Sequence, residues 1–365
     1  MILEKRKKIL VICPCPEGIA PAQRLKYEQY FNSWRENKFD IQVSPFFSER
    51  LQQILYKKGN TLEKIYWVIR AYIKRFFEIF TLHKYDAVYI FLWVTPFGFP
   101  LMEYLFTRMN KHIIYDIDDL IFMKSINGVN SATDFIKGKK KPFFLMRRAR
   151  HVITCTPYLT SIALKYNTKV TDISSTINTV TYQPVNSYKN DHTIILGWSG
   201  SHSTAPFLYL LKDALIELNK RSRFKLMVMG ADEFAIEGLD IELVKWSVEN
   251  EIRTLQQFDI GLYPLPIDND WVLGKSGLKA LQYMGVGVPV IATAIGTNFR
   301  IIEEARTGFL VTTNNEWINT IERLINDPEL RKSIGLAGRE NVVKNYSINA
   351  NAQTYINILK SVSKD

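Results

Sequence analysis

The stretch that decides the fold is residues 261–298, GLYPLPIDNDWVLGKSGLKALQYMGVGVPVIATAIGTN. An apolar run that reads as a buried strand ends at Tyr263, and a proline-rich loop follows it. Gly-Lys-Ser-Gly at 274–277 then opens a helix that ends near Gly285, and a second strand follows at 289–292. This order predicts two parallel neighbouring strands joined by a helix.

The turn at 274–277 also predicts an anion site. Backbone N–H groups at a helix start lack intrahelical partners, and the helix dipole favours negative charge there. Lys275 adds a cation suited to phosphate. Positions 275, 279 and 282 fall within about 60° on a helical wheel, so Lys275, Lys279 and Gln282 share one face. A P-loop is excluded because its spaced first glycine is absent.

Outward from this stretch, strands alternate with helices along the whole chain in two series that meet near residues 184–191. The alternation predicts two doubly wound, Rossmann-like α/β domains with parallel sheets that face each other, with the active site in the cleft between them. The predicted segments are an N-terminal domain at 1–185, a linker at 186–192, a second domain at 193–346 and a C-terminal helix at 347–365. That helix needs a partner for its apolar face, and the N-terminal domain is a candidate.

Composition narrows the class of protein. Hydrophobic residues make up 47% of the 365 residues and charged residues 23%, which excludes wholesale disorder. Cys13, Cys15 and Cys155 cannot form a disulfide framework, and Cys13-x-Cys15 lacks further zinc ligands at suitable spacing. The N-terminus has no signal-peptide cleavage site, and the most apolar stretch, 87–102, is interrupted by prolines. A cytoplasmic protein is expected.

A resemblance to a known family rests on several motifs taken together. They are Leu-Gln-Tyr-Met-Gly at 281–285, Gly-Val-Pro-Val-Ile-Ala-Thr at 287–293, Gly-Thr-Asn at 296–298 and Thr-Gly-Phe-Leu-Val at 307–311. With them, residues 193–346 resemble the donor domain of retaining glycosyltransferases of the group 1 (family 4) type, which have the GT-B fold. A divergent subgroup has Gly-Lys-x-Gly before Leu-Gln-Tyr-Met, and this chain resembles it. The resemblance over residues 1–185 is weaker.

The resemblance implies a binding site for a nucleotide-diphosphate sugar. Lys275 and the backbone of Ser276 and Gly277 would hold the diphosphate, and Gln282 would take the place of a ribose-binding glutamate, with Lys279 on the same face. Trp-Ser-Gly-Ser-His-Ser-Thr at 198–204 matches the loop that contacts the diphosphate. The remaining implied donor-binding residues are Gly197, Ser199, Gly200, Ser201, Lys245 and Trp246. Trp246 is equally compatible with a packing role.

Two departures from the family keep alternatives open. The family often carries two glutamates separated by seven residues, and Gly274 and Gln282 stand at those positions. An amide still hydrogen-bonds ribose hydroxyls, but the sugar contact of the first glutamate is lost. A non-catalytic GT-B module that binds nucleotide or a partner, and a GT-B nucleotide-sugar epimerase, are therefore the alternatives.

On the acceptor side, Gln23 and Arg24 follow the first strand, and Asp116, Asp118 and Asp119 crowd the end of a later one. Arg24 is a candidate for an anionic acceptor or the donor diphosphate, or else a surface arginine. Asp118 and Asp119 stand where the family often has a histidine-aspartate pair, whereas Asp116 could cap a helix or pair with a lysine. The expected catalytic set is Asp118, Lys275 and Arg24, with no metal and no cofactor.

Charge is unevenly distributed. The net charge of +11 divides into +13 for residues 1–200 and −2 for residues 201–365. Two segments, 64–84 and 137–150, mix basic with aromatic residues, which suits an anionic membrane surface. The alternative for both is a core helix with a solvated basic face. Nucleic acid is not expected as a partner because no nucleic-acid-binding motif accompanies these charges. A nicotinamide-dependent enzyme is excluded because the loop after the first strand lacks the glycine triplet.

The combined expectation is a retaining, metal-independent, hexosyltransferase-type enzyme. It would transfer a sugar from a nucleotide-diphosphate sugar to a saccharide or lipid-linked acceptor, in the synthesis of a cell-surface polysaccharide or glycolipid. The family's front-face mechanism, in which the leaving diphosphate helps to deprotonate the acceptor, needs no protein nucleophile.

Overall fold

The computed structural model describes residues 6–55, 57, 59–123, 138–184 and 193–364. The chain divides into two compact units, Met1–Ser174 with Asn351–Asp365, and Ser175–Ala350. The division falls earlier than the sequence predicts, because Ile177 and Tyr182 are buried in the core of the second unit. The predicted linker at 186–192 lies outside the described residues.

A six-stranded parallel sheet forms the centre of the first unit, in the order β2-β1-β3-β4-β5-β6. The strands are β1 (Lys7–Cys13), β2 (Phe39–Pro45), β3 (Ala87–Phe91), β4 (Ile113–Asp116), β5 (His151–Thr154) and β6 (Val170–Asp172). Every residue of β3 and β4 is buried. Such strands read as continuous apolar runs because helices cover both faces of a parallel sheet.

The second unit repeats this design with the strand order β12-β11-β10-β7-β8-β9. Its strands are β7 (Ile194–Ser199), β8 (Phe224–Met229), β9 (Ile241–Val244), β10 (Ile260–Tyr263), β11 (Val290–Thr293) and β12 (Phe309–Val311). All of the described pairings in both sheets are parallel. The predicted α/β architecture of two doubly wound parallel sheets is therefore confirmed.

Helices connect the strands. They are α1 (Pro21–Arg24), α2 (Phe31–Glu36), α3 (Glu49–Leu55), α4 (Thr61–Ile79), α5 (Leu101–Met109), α6 (Lys141–Arg148), α7 (Pro157–Ala163), α8 (Lys212–Asn219), α9 (Glu251–Leu255), α10 (Leu278–Gly285), α11 (Asn298–Ile301), α12 (Asn314–Asn326), α13 (Pro328–Asn345) and α14 (Ile348–Val362). Local signals explain several helix starts. Thr313 and Glu316 form a capping box at α12, and the Asp327 side chain accepts from the Leu330 N–H at α13.

Helices α1 and α2 do not form one continuous helix. Residues 25–27 and a short 3₁₀ turn at Glu28–Tyr30 lie between them. The side chains of Lys26 and Tyr27 are both buried at this break. A single straight helix on the surface could not bury both side chains, so the helix is interrupted here.

The C-terminal helix α14 packs on the first unit through aromatic rings. The ring of Tyr355 lies 4.6 Å from that of Tyr30 and 5.8 Å from that of Trp34, measured between centroids. Beyond the helix, the backbone N–H of Lys364 donates to the carbonyl of Asp86 at 3.0 Å. Tyr355 thus packs in the core of the first unit, to which Asn351–Asp365 belong.

Helix α13 approaches the loop at 287–289 closely enough to require glycine. A Cβ added to Gly335 would lie 2.0 Å from the carbonyl oxygen of Gly287, which is backbone and cannot move aside cheaply. We expect Gly335→Ala to lower the free energy of unfolding by about 1–3 kcal/mol, because the added methyl group would overlap the Gly287 carbonyl oxygen and push α13 away from the loop. Urea unfolding measures the change. Ser333→Ala, on the exposed side of the same helix, is the control, and equal stability of both variants would contradict this packing.

Candidate functional site

The strand order of the second unit reverses between β7 and β10. Ligands of open α/β sheets bind outside the carboxyl ends of the strands at such a switch point. The loop at 200–204 follows β7, and the loop at 264–277 follows β10 and leads into helix α10. The predicted donor-binding segments therefore meet at the expected place in this sheet.

The loop after β7 depends on close backbone contacts. A Cβ on Gly200 would lie 2.1 Å from the buried ring of Trp198, and a Cβ on Gly230 would lie 2.2 Å from the Gly200 carbonyl oxygen. The Ser199 N–H donates to the Tyr283 hydroxyl at 2.9 Å. Gly197 has a different role. It is buried, and a Cβ added there would lie 1.9 Å from the Phe258 ring, so only glycine leaves room for that ring. Gly197 therefore has a packing role, and its contact with the donor stays a prediction.

Helix α10 begins at a position that only glycine fills well. Gly277, its N-cap, has φ of +73°, and a Cβ there would lie 2.2 Å from Cδ1 of Ile301. The neighbouring Ser276 hydroxyl accepts from the Ser175 hydroxyl at 2.7 Å. This geometry sets the direction of the helix and lets α11 lie close to its first turn.

Two lysines lie at this end of the sheet. Lys275 Nζ lies 3.4 Å from the centroid of the Trp271 ring. Lys279 Nζ lies 4.8 Å from the Trp198 ring centroid and 5.5 Å from that of Tyr263. Lys279 also donates to the Thr204 hydroxyl oxygen at 3.2 Å, which joins helix α10 to the loop after β7.

The environment of Lys279 disfavours its positive charge. Burial of the ammonium, and secondarily the charge of Lys275, lowers the pKa of Lys279 to about 7. No described carboxylate forms an ion pair with it. A lysine held among rings beside a second cation is an arrangement that a bound anion would stabilise.

Gln282 forms its hydrogen bonds with Tyr182 and Glu251. Its buried side-chain amide donates to the Tyr182 hydroxyl and to Oε1 of Glu251, both at 3.2 Å. The Trp246 Nε1–H donates to the same Glu251 oxygen at 3.0 Å, and the Tyr182 hydroxyl donates to Oε2 at 2.7 Å. Glu251 is thus the centre of a buried network that ties Gln282 and Trp246 together, and both predicted donor contacts would have to form around it. Lys245 is exposed.

In the first unit, Gln23 and Arg24 belong to helix α1. Gln23 is buried and forms two hydrogen bonds with the backbone of Cys15. Its Oε1 accepts from the Cys15 N–H at 2.8 Å, and its Nε2 donates to the Cys15 carbonyl at 2.9 Å. Its amide also donates to Glu28 at 2.9 Å. Gln23 therefore positions the loop after β1 with its side-chain amide, and its acceptor-side role stays a prediction. Arg24, one residue further, is partly exposed.

The three aspartates after β4 are placed differently. Asp116 is fully buried, accepts from the Tyr89 hydroxyl and lies 3.8 Å from Nζ of Lys26, so of the two predicted alternatives the structure shows the lysine pair. Burial raises the pKa of Asp116 against the opposing effect of Lys26. Asp118 and Asp119 are partly exposed, and the Asp118 carbonyl accepts from Sγ of Cys155 at 3.1 Å. Among the described residues, no group of three His, Cys, Asp or Glu side chains converges as a metal site.

The two basic-aromatic segments are also unlike each other. In the described part of the second segment, Lys141 is buried, with Nζ 3.2 Å from Glu103 and 2.8 Å from the Thr95 carbonyl. Leu145 and Met146 are buried as well, so α6 is a core helix with a basic edge. Lys137 lies outside the described residues. The first segment, in contrast, exposes most of its large apolar side chains.

Comparison with known proteins defines the class. Residues 194–327 match the family model described as "Glycosyl transferases group 1". Over its whole length the chain is similar in fold to sucrose-phosphate synthase from Thermosynechococcus elongatus, with a TM-score of 0.70 and 15% identity over 98% of this chain and 99% of that one. It is equally similar to Anabaena HepE in complex with UDP-glucose, with a TM-score of 0.68 and 14% identity over 97% and 99% of the two chains.

In sequence, the chain is 37% identical over 87 residues to trehalose synthase from Pyrococcus horikoshii. That match covers 24% of this chain and 21% of the relative's length. Residues 194–327, in the second unit, thus match a group 1 glycosyltransferase model, and the chain has the GT-B fold.

The lowered pKa of Lys279 makes stability depend on pH. Between its folded pKa of about 7 and its ordinary value near 10.5, the unfolded chain binds the proton and the folded chain does not. Stability therefore rises with pH in that window. We expect Lys279→Met to stabilise the protein relative to wild type most at pH 6, and progressively less up to pH 9.5. Urea unfolding at both pH values measures this, with exposed Lys332→Met as control. If the difference in stability between Lys279→Met and wild type is the same at both pH values, the pKa of Lys279 is not lowered.

Proposed function

We propose that this protein is a glycosyltransferase that moves a hexosyl group from a nucleotide-diphosphate sugar to a saccharide or lipid-linked acceptor, with retention at the anomeric carbon. The observation that carries the proposal is the meeting of Lys275, Lys279 and Thr204 at the carboxyl ends of β7 and β10, within a group 1 domain. The structure of HepE with UDP-glucose supports a donor of this kind.

On this proposal, the donor diphosphate lies between helix α10 and the loop after β7. Lys275 and Lys279 supply the positive charge, while Ser201 and Thr204 supply hydroxyls. As the bond to the sugar breaks, negative charge grows on the diphosphate, and preorganised cations stabilise it. Because lysines perform this task, no metal is needed. The departing diphosphate then accepts the acceptor's proton on the same face of the sugar, so no protein nucleophile is required.

The acceptor side of the proposal rests on the first unit. Arg24, Asp118 and Asp119 are the partly exposed polar residues that follow β1 and β4, and we assign them to the acceptor, with Arg24 and Asp118 closest to the reaction. The charge of +13 in residues 1–200 supports an acceptor at an anionic surface. We therefore place the protein in the cytoplasm, peripherally on the inner face of the cell membrane, in polysaccharide or glycolipid synthesis.

A lysine variant tests the donor site. We expect Lys275→Ala to lower turnover about 100-fold or more, because it removes a cation from the leaving diphosphate. Affinity for a nucleoside diphosphate should fall about tenfold. Release of nucleoside diphosphate from a panel of nucleotide sugars measures turnover, and titration calorimetry measures affinity. Exposed Lys212→Ala is the control, and unchanged activity of the Lys275 variant would defeat the assignment.

Gly274 and Gln282 favour a second candidate, a GT-B module that binds nucleotide without catalysis. The same panel separates the candidates. A non-catalytic module binds nucleoside diphosphate and releases none from any nucleotide sugar. An epimerase changes the sugar's configuration without a second substrate. Slow hydrolysis of one donor in the absence of acceptor supports the transferase.

A further inference from the structure

Helix α4 presents an apolar stripe to solvent. Its members recur every three or four residues and are each 46% to 84% exposed: Leu62, Ile65, Tyr66, Ile69, Ile73, Phe76, Phe77 and, just past the helix end, Phe80. A helix of a globular protein normally turns such a stripe toward the core. We call these eight residues the α4 stripe. Among the residues that the structure describes, no helix is both long and apolar enough to cross a bilayer.

A buried arginine on the opposite side of α4 fixes this orientation. Arg75 is fully buried, and its guanidinium donates to the Ser44 hydroxyl at 2.7 Å, the Ser44 carbonyl at 2.8 Å and the Val94 carbonyl at 3.1 Å. It also pairs with Glu78 at 2.6 Å. Turning the stripe inward would separate Arg75 from these partners, and each buried acceptor left unsatisfied costs about 1–3 kcal/mol. The exposure of the stripe is therefore built into the fold.

Cations and a cavity adjoin the stripe. A cavity of about 500 Å³ beside α4 is lined by Phe46, Phe47, Trp67, Arg70 and Lys74, among others. The Arg70 guanidinium lies 5.1 Å from the Trp67 ring centroid, and Lys74 Nζ donates to the Pro45 carbonyl at 3.2 Å. The acidic residues of the helix are paired, Glu63 with Arg50 and Glu78 with both Arg75 and, at 3.7 Å, Lys74. Arg70 and Lys74 are exposed whereas Glu78 is partly buried, so the exposed charge along this face is positive.

We propose that the α4 stripe lies in the plane of an anionic phospholipid membrane, with Arg70 and Lys74 at the mouth of the cavity binding lipid phosphates. The inference deepens the proposed function, on which it rests only for the expectation of a membrane-bound acceptor. The helix has 19 residues and is about 28 Å long. Apolar side chains flanked by Lys and Arg are the pattern of helices that lie in the headgroup region.

Charge argues against two other occupants. A second copy of the chain would bring a like-charged surface against this one, because residues 1–200 carry +13. A protein partner is less favoured because the centres of protein interfaces are depleted in lysine, and Lys64 and Lys74 lie on this helix. An anionic bilayer satisfies the stripe and the cations together.

Vesicle sedimentation tests the surface. Wild-type protein should bind phosphatidylcholine vesicles that contain phosphatidylglycerol, and more weakly vesicles of phosphatidylcholine alone. Ile69→Glu with Phe77→Glu should lower binding at least about tenfold. Arg70→Glu with Lys74→Glu should remove the preference for phosphatidylglycerol and most of the salt dependence. The matched control is Leu336→Glu with Val343→Glu, which places two acids on exposed apolar positions of α13 and should bind as wild type.

Trp67 reports the depth of the helix. Brominated phospholipids should quench part of the tryptophan fluorescence of bound protein, and Trp67→Phe should remove that part. Each variant is first shown to bind nucleoside diphosphate and to unfold in urea as wild type does. Vesicle binding unchanged by Ile69→Glu with Phe77→Glu, or self-association through the stripe without vesicle binding, overturns the inference. If the protein hydrolyses a donor but does not bind vesicles, the membrane inference is wrong and the proposed function stands. If it binds vesicles but turns over no donor, only the proposed function is wrong.

Discussion

The hydrogen bond between the Ser199 N–H and the Tyr283 hydroxyl joins helix α10 to the end of β7. Burial raises the pKa of Tyr283 to about 12, so the hydroxyl stays protonated and uncharged. The Tyr283 ring fits against β10 because Gly261 has no side chain there, where a Cβ would lie 2.4 Å from the ring. With the helix held in this way, Lys279 reaches Thr204. The geometry of the proposed diphosphate site therefore depends on this hydrogen bond and on the packing of the Tyr283 ring against β10.

The two units handle charge in different ways. The second unit is close to neutral in net charge and concentrates two lysines among aromatic rings, where burial and the charge of Lys275 disfavour the charge of Lys279. Such a site is best suited to a compact, doubly charged ligand. The first unit carries its excess of basic residues over an extended surface that includes the α4 stripe. A broad anionic surface matches that distribution better than a small ligand does.

Much of the fold was predictable because the signals are local. Apolar runs read as buried parallel strands, and Gly277 marks the start of α10 in sequence and structure alike. Side-chain partners far apart in the chain were not predictable. Nothing near Glu251 in sequence indicates that Gln282, Trp246 and Tyr182 will meet on it. Likewise, the mix of basic and aromatic residues at 64–84 leaves a core helix as an alternative, and only the exposure of the stripe and the contacts of Arg75 show that it faces solvent.

We propose that the second unit binds the diphosphate of a nucleotide sugar at Lys275 and Lys279. Titration calorimetry of the purified protein with UDP, UMP and uridine, and with the guanosine and adenosine series, tests it most directly. We expect that in at least one series the diphosphate binds at least about tenfold more tightly than the monophosphate, and that Lys275→Ala removes this difference. Equal affinity for diphosphate and nucleoside in every series, or no binding at all, would contradict it.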